Sequence, residues 1–224
     1  MRAHAHLTIR SPPITIQVRT QPRTRDREGR CLDLIDAANA VFAERGYDAA
    51  TTRQIAERAR CAEGLIHRYF NGKRGLLLAI LETKAAHIVD EFESDLPDRE
   101  NVLDEITSIL VRDLDLFWER RDFMRVSVSQ AMIDPEIGRT ISANINNQRV
   151  RLTLAKLRRH QEAGRIRAEA DVEAIAYAVS SLGFSVGFVF QACFGEDRAL
   201  ARRIVTQAAA AISEGITQTE RNRP

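Results

Sequence analysis

The stretch TTRQIAERARCAEGLIHRYFNGKRG, residues 51–75, decides how the rest of the chain is read. Thr51 followed three residues later by Gln54 has the form of a capping box, so a short helix is expected over 51–59 with Ile55 and Ala56 as its apolar face. After Arg60-Cys61-Ala62 a second short helix is expected. In it Ile66 and Phe70, four apart, turn inward with Ile55 and Ala59, while Leu65, Arg68 and Tyr69 lie more outward and Gly64 permits close approach. Past the Asn71-Gly72 turn, Leu76, Leu77, Ile80 and Leu81 open a longer helix, with Asn71 as its expected N-cap and Lys73 in its first turn. Two short helices at this spacing suit a helix-turn-helix, in which one helix crosses the phosphate backbone and the next enters the major groove of DNA. The competing reading is a surface helix hairpin with scattered basic residues.

Working outward, Leu34/Ile35, Ala38 and Val41/Phe42 recur at helical spacing from Cys31 onward, and Gly46 supplies a stop before Tyr47. Residues 1–30 combine Pro12, Pro13 and Pro22 with seven arginines and read as a flexible basic arm. Its Arg23, Arg25, Arg27 and Arg30 either reach a flanking minor groove or form a plain basic tail. Downstream, helices are expected to about Ser94 and then over about 100–119, 122–132, 135–162, 171–193 and 196–217. Asp134 with Pro135 begins the 135–162 helix. The fold class is therefore all-α, about nine helices. Three parts are expected: the arm 1–30, a three-helix helix-turn-helix domain 31–80, and a larger helical domain 81–224.

Composition agrees with a nucleic-acid partner without requiring one. Net charge is +2, yet residues 1–80 carry 14 Lys+Arg against 8 Asp+Glu while the remainder is acidic. The three cysteines, Cys31, Cys61 and Cys193, lie far apart and give neither a disulfide framework nor a zinc ribbon, so a reducing cytoplasm is expected. No phosphate loop, metal-binding helix motif or nucleophile with its base is present, so no catalytic residue, metal or cofactor is expected; His87 and His160 read as isolated and solvated.

The run LIDAANAVFAERGYDAATTRQIAERARCAEGLIHRYFNGKRGLLLAIL, residues 34–81, resembles the DNA-binding domain of the TetR family of transcriptional repressors. That family shows F-x-x-x-G-Y/F, then T-T/V-x-x-I-A-x-x-A-G-V-S, then Y-x-Y/H-F and K-x-x-L. Phe42, Gly46-Tyr47, Thr51, Ile55-Ala56, Tyr69-Phe70, Lys73 and Leu76 fall in place. Three positions depart: Arg60 stands where the turn usually has glycine, Ala62 where the recognition helix usually has a serine cap, and His67 where an aromatic is usual. The first is expected to force a left-handed arginine at a cost of about 1 kcal/mol or more.

The resemblance implies that Thr52, His67, Tyr69 and Lys73 contact phosphates and that Gly64, Leu65 and Arg68 face base edges of a palindromic double-stranded operator. It also implies a homodimer and a small-molecule inducer. The last two helices offer the dimer surface: AIAYAVSSLGFSVGFVFQACF, 174–194, is free of charge, and Ile204, Val205, Ala208, Ala211 and Ile212 form a stripe on the next. A membrane span at 174–194 is the minority alternative, and no membrane partner is expected. For the inducer, Phe117, Trp118, Phe123 and Met124 with Asn144, Gln148 and Arg151 suggest apolar walls with a few polar groups, suited to a small, mostly hydrophobic ligand. The alternative to a ligand-responsive regulator is a helical adaptor or sensor that does not bind DNA specifically.

Overall fold

The computed structural model describes residues 23–94 and 96–217, with side chains for all of these except 23–26 and 85–94. The described residues form nine helices: α1 (Arg23–Arg45), α2 (Thr52–Arg58), α3 (Gly64–Phe70), α4 (Lys73–Ser94), α5 (Val102–Glu119), α6 (Arg121–Ala131), α7 (135–162), α8 (Val172–Cys193) and α9 (Arg198–Ile216). α7 runs as Pro135–Ile141, a π-helical turn at Ser142–Asn146, and Asn147–Glu162; α8 turns π-helical over Ser185–Cys193. The fold is all-α.

The first helix begins at Arg23, so residues 23–30 of the expected arm are helical; residues 1–22 of it lie outside the described residues. Extending a helix already nucleated by a packed segment adds one hydrogen bond per residue fixed, which a polar run can do without an apolar face. The caps are local: Thr51 and Gln54 exchange bonds at 3.1 and 3.2 Å, and Asp134 accepts from the N–H of Glu136 ahead of Pro135.

Leu34, Ala38, Val41 and Phe42 of α1 close over Ile55, Ala56 and Ile66, and over Leu76, Leu77, Ile80 and Leu81 of α4, each at most 3% exposed. Full burial of one such large side chain contributes about 1.5–3 kcal/mol. In the larger part α5 is central, packed by α7, α8 and α9, with Ile106, Ile109, Leu110, Leu114 and Phe117 inside. α8 approaches α5 closely: a Cβ on Gly183 would stand 1.9 Å from Asp113 Oδ2, and one on Gly187 would stand 3.0 Å from the Asp113 carbonyl. Val172–Cys193 is long and apolar enough to cross a membrane by length and composition, but Ala176, Val179, Val186 and Phe188 are buried within the protein. Its other side exposes Tyr177.

Candidate nucleic-acid interface

The turn between α2 and α3 is a Schellman closure. The N–H of Arg60 reaches the Glu57 carbonyl at 3.2 Å and the N–H of Cys61 reaches Ala56 at 3.0 Å. Arg60 takes φ 51° there, as the glycine-to-arginine departure required. With Ala62 in place of a serine, α3 starts without any side-chain cap, and its N-terminal position is filled by Glu63. The Glu63 carboxylate instead accepts from the Thr52 hydroxyl at 2.5 Å, linking the first residue of α2 to the start of α3.

On α3 only Ile66 is fully buried. Gly64, His67 and Arg68 are exposed on one side, as a reading face requires, and nothing lies within 4 Å of a Cβ added at Gly64. Leu65, Tyr69 and Phe70 are half-buried against the core. Tyr69 carries the guanidinium of Arg27 at 5.5 Å and that of Arg68 at 5.9 Å from its ring centre. Thus Arg27, expected in the arm, packs on the recognition helix instead.

Two expectations change. Asn71 does not cap α4; it closes α3 in the left-handed region at φ 57°, with its N–H on the His67 carbonyl. Lys73 does not point outward to a phosphate. Its ammonium donates to the carbonyls of Tyr47, Ala50 and Asp48 at 2.7, 3.1 and 3.3 Å and sits 4.4 Å from the Tyr47 ring centre. The three hydrogens of the ammonium are thereby used to tie the loop after α1 to α4. Next to it Gly75 is pressed so tightly on α3 that a Cβ would stand 1.5 Å from the Phe70 carbonyl oxygen.

Arg74 connects this unit to the rest. Its guanidinium binds Asp134 at 2.5 and 3.1 Å and Glu136 at 2.5 Å, across the α6–α7 corner. The hydrogen bond from Arg74 holds the Asp134 carboxyl down at about 2.

In the larger part, the seven residues expected to line a ligand pocket separate. Phe117, Phe123 and Met124 are buried and Trp118 is half-buried, but Gln148 and Arg151 face solvent and Asn144 is half-exposed, so the polar three do not converge on the aromatics. The arginine that is buried is Arg149, one residue on from Gln148: it is 2% exposed, paired with Asp113 at 2.5 and 3.2 Å and stacked 4.7 Å from the Phe117 ring centre. Burial pushes the Asp113 carboxyl up, and Arg149 opposes that shift. An arginine at a core position is rare unless paired, which is why the pattern pointed to its neighbours.

A second buried cluster holds the base of α5. Glu105 is fully buried and meets Arg159 at 2.5 Å, Lys156 at 3.2 Å and His160 Nε2 at 3.3 Å. Arg165 donates to His160 Nδ1 at 2.8 Å, which leaves the ring proton on Nε2 facing the carboxylate. His160 is therefore buried and partnered, not solvated as expected; burial pushes its pKa down.

The family model for bacterial regulatory proteins of the tetR family matches residues 34–80, the segment that builds α1 to α4 around this face. This stretch of the chain is a TetR-family segment. Among curated TetR-like relatives, the fatty acid metabolism regulator protein of Bacillus subtilis is 25% identical over 92 residues, 41% of this chain and just under half, 47%, of its own length. The transcriptional repressor AcnR of Corynebacterium efficiens is 29% identical over 148 residues, covering 64% of this chain and 72% of that one. Two solved structures share the fold. A TetR-family transcriptional regulator from Pectobacterium atrosepticum superposes with a TM-score of 0.66 at 21% identity, over 88% of this chain and 99% of that one. The transcriptional regulator FadR from Bacillus subtilis, in complex with stearoyl-CoA, superposes with a TM-score of 0.64 at 17% identity, over 82% and 95%.

Proposed function

We propose that this protein is a cytoplasmic, homodimeric transcriptional repressor that binds a palindromic operator in double-stranded DNA and is released by a small, mostly hydrophobic ligand. The observation that carries the reading is α3: a short helix with Gly64, His67 and Arg68 bare on one side, set by a Schellman turn on a capped α2 within the segment that matches the family. Arg68 supplies a bidentate donor for guanine, and His67 and Tyr69 supply phosphate contacts. The reading unit is 31–80, extended by the helical residues 23–30, and 81–224 holds the ligand and dimer functions.

Dimerisation uses the outer sides of α8 and α9. Tyr177 is 48% exposed, and Leu200, Ile204, Ala208 and Ala211 lie along an open, largely apolar side of α9. A two-fold pair of such surfaces presents two recognition helices to successive half-sites. The ligand acts by preferring the arrangement in which those helices are wrongly spaced, since only differential affinity shifts an equilibrium. α4 and the Arg74 contacts with Asp134 and Glu136 carry that change between the parts. The stearoyl-CoA held by the Bacillus subtilis structure supports an apolar ligand class.

The test is binding of the purified protein to duplex DNA from upstream of its own coding region and to a scrambled duplex, over a salt series. Selective binding with two chains per site and a steep fall with salt is expected. Equal, weak binding to both, and to pools of genomic fragments, rejects the reading.

A further inference from the structure

We infer that Glu63 reads cytosine in each operator half-site and that Thr52 positions it for that contact, an inference that rests on the DNA-binding reading above. Glu63 is exposed and stands one residue before Gly64, where the surroundings are open. It shares a face of the recognition helix with His67, four residues on. The first residues of a recognition helix are the ones that meet base edges.

A carboxylate on a surface that meets a polyanion opposes binding unless it is used. An ionised carboxylate only accepts hydrogen bonds, so its partner in the major groove must be an amino group. Cytosine offers its N4 amino group without an acceptor on the same base edge; adenine offers N6 beside N7, whose lone pair repels a carboxylate and suits an amide instead. The side chain is also held in place. Thr52 donates its hydroxyl proton to Oε1 of Glu63 at 2.5 Å, which fixes the carboxylate across the α2–α3 gap and leaves Oε2 to accept from a base. A threonine hydroxyl has one proton, so in this arrangement Thr52 has none to give to a phosphate. Thr52 is thus a positioning residue for Glu63.

The experiment is selection from randomised duplexes by the full-length wild type, E63Q, E63A and T52V, with each variant's fold checked by circular dichroism melting. The wild type is expected to select a palindrome with one C·G pair per half-site favoured about 5- to 150-fold over other pairs. In E63Q that position switches toward A·T, in E63A it becomes indifferent, and in T52V its preference weakens while every other position is kept. Wild-type and E63Q motifs that agree at every position overturn the assignment, whatever the change in affinity; that result is what a carboxylate serving only the helix dipole predicts. T52V binding all duplexes more weakly by one common factor overturns the positioning role. A wild type that selects no motif sinks the DNA-binding reading itself, and is told apart from failure of Glu63 alone by that absence.

Discussion

Replacing Arg149 with methionine isolates the buried pair that the larger domain is built around. Methionine has similar length and no charge, so packing on Phe117 is largely kept while Asp113, fully buried, loses its two bonds at 2.5 and 3.2 Å. Removing one member of a buried ion pair costs about 3–5 kcal/mol, because the remaining charge has no solvent. In a chain of this size that is a fall in Tm of about 6–20 °C, at about 2–4 °C per kcal/mol. The cost depends on pH in a definite direction. Burial already pushes the Asp113 carboxyl above its ordinary 3.8, and loss of Arg149 raises it further, so the folded variant binds a proton that the unfolded chain releases. Its deficit therefore shrinks as pH falls from neutral toward the ordinary carboxylate range. The double variant D113V/R149M, which adds no heavy atom at position 113 beside Gly183, is expected to recover most of the loss, since an apolar pair of similar volume often matches a buried ion pair. Urea denaturation followed by circular dichroism at two pH values measures all three. A loss for R149M below about 1 kcal/mol with no pH dependence refutes the burial argument.

Three further outcomes are expected. Lys73→Met removes three bonds to the carbonyls of Tyr47, Asp48 and Ala50 and should lower stability by about 2–3 kcal/mol in a denaturant titration. Its salt slope for DNA binding should match wild type, whereas a phosphate-bound lysine would reduce that slope by about 1. Gly75→Ala places a Cβ 1.5 Å from the Phe70 carbonyl and should cost about 3 kcal/mol or more, read as a collapse of soluble yield or of Tm; a variant as stable as wild type contradicts the close approach. His160 is depressed below its ordinary 6.5 in the folded state, so the unfolded chain takes up a proton first and stability falls as pH drops below 6.5 toward the folded value. H160Q should flatten that part of the stability profile, and an unchanged slope would assign it to other groups.

Helix positions were legible because period and caps are local properties. The Thr51/Gln54 box, the Asp134-Pro135 start and the need for a left-handed residue at 60 are written within a few residues of where they act. What was not legible depended on partners distant in sequence. Nothing around Lys73 announces that the carbonyls of Tyr47, Asp48 and Ala50 await it, and on charge alone it reads as a phosphate ligand. Glu63 is a lone acid among basic residues, and its hydrogen bond to Thr52 spans eleven residues across the turn, so only the fold brings the two together. Along α7 the stripe of Ile137 and Ile145 continues as Arg149, Thr153 and Leu157, so the core face carries an arginine and the polar residues beside it look outward. Its charge alone places Arg149 outside, and only Asp113 on another helix shows otherwise.

The Gly75–Phe70 contact and the Lys73 hooks leave no hinge between α3 and α4: the helix that reads and the helix that leads away form one stiff arm. At 1.5 Å per residue the 22 residues of α4 measure about 33 Å, so a tilt of about 5° shifts one end against the other by about 3 Å. That is close to the step from one base pair to the next. A stiff arm has no slack in which such a tilt could be absorbed, so a displacement too slight to disturb any packing at the far end arrives at the groove as a change of register.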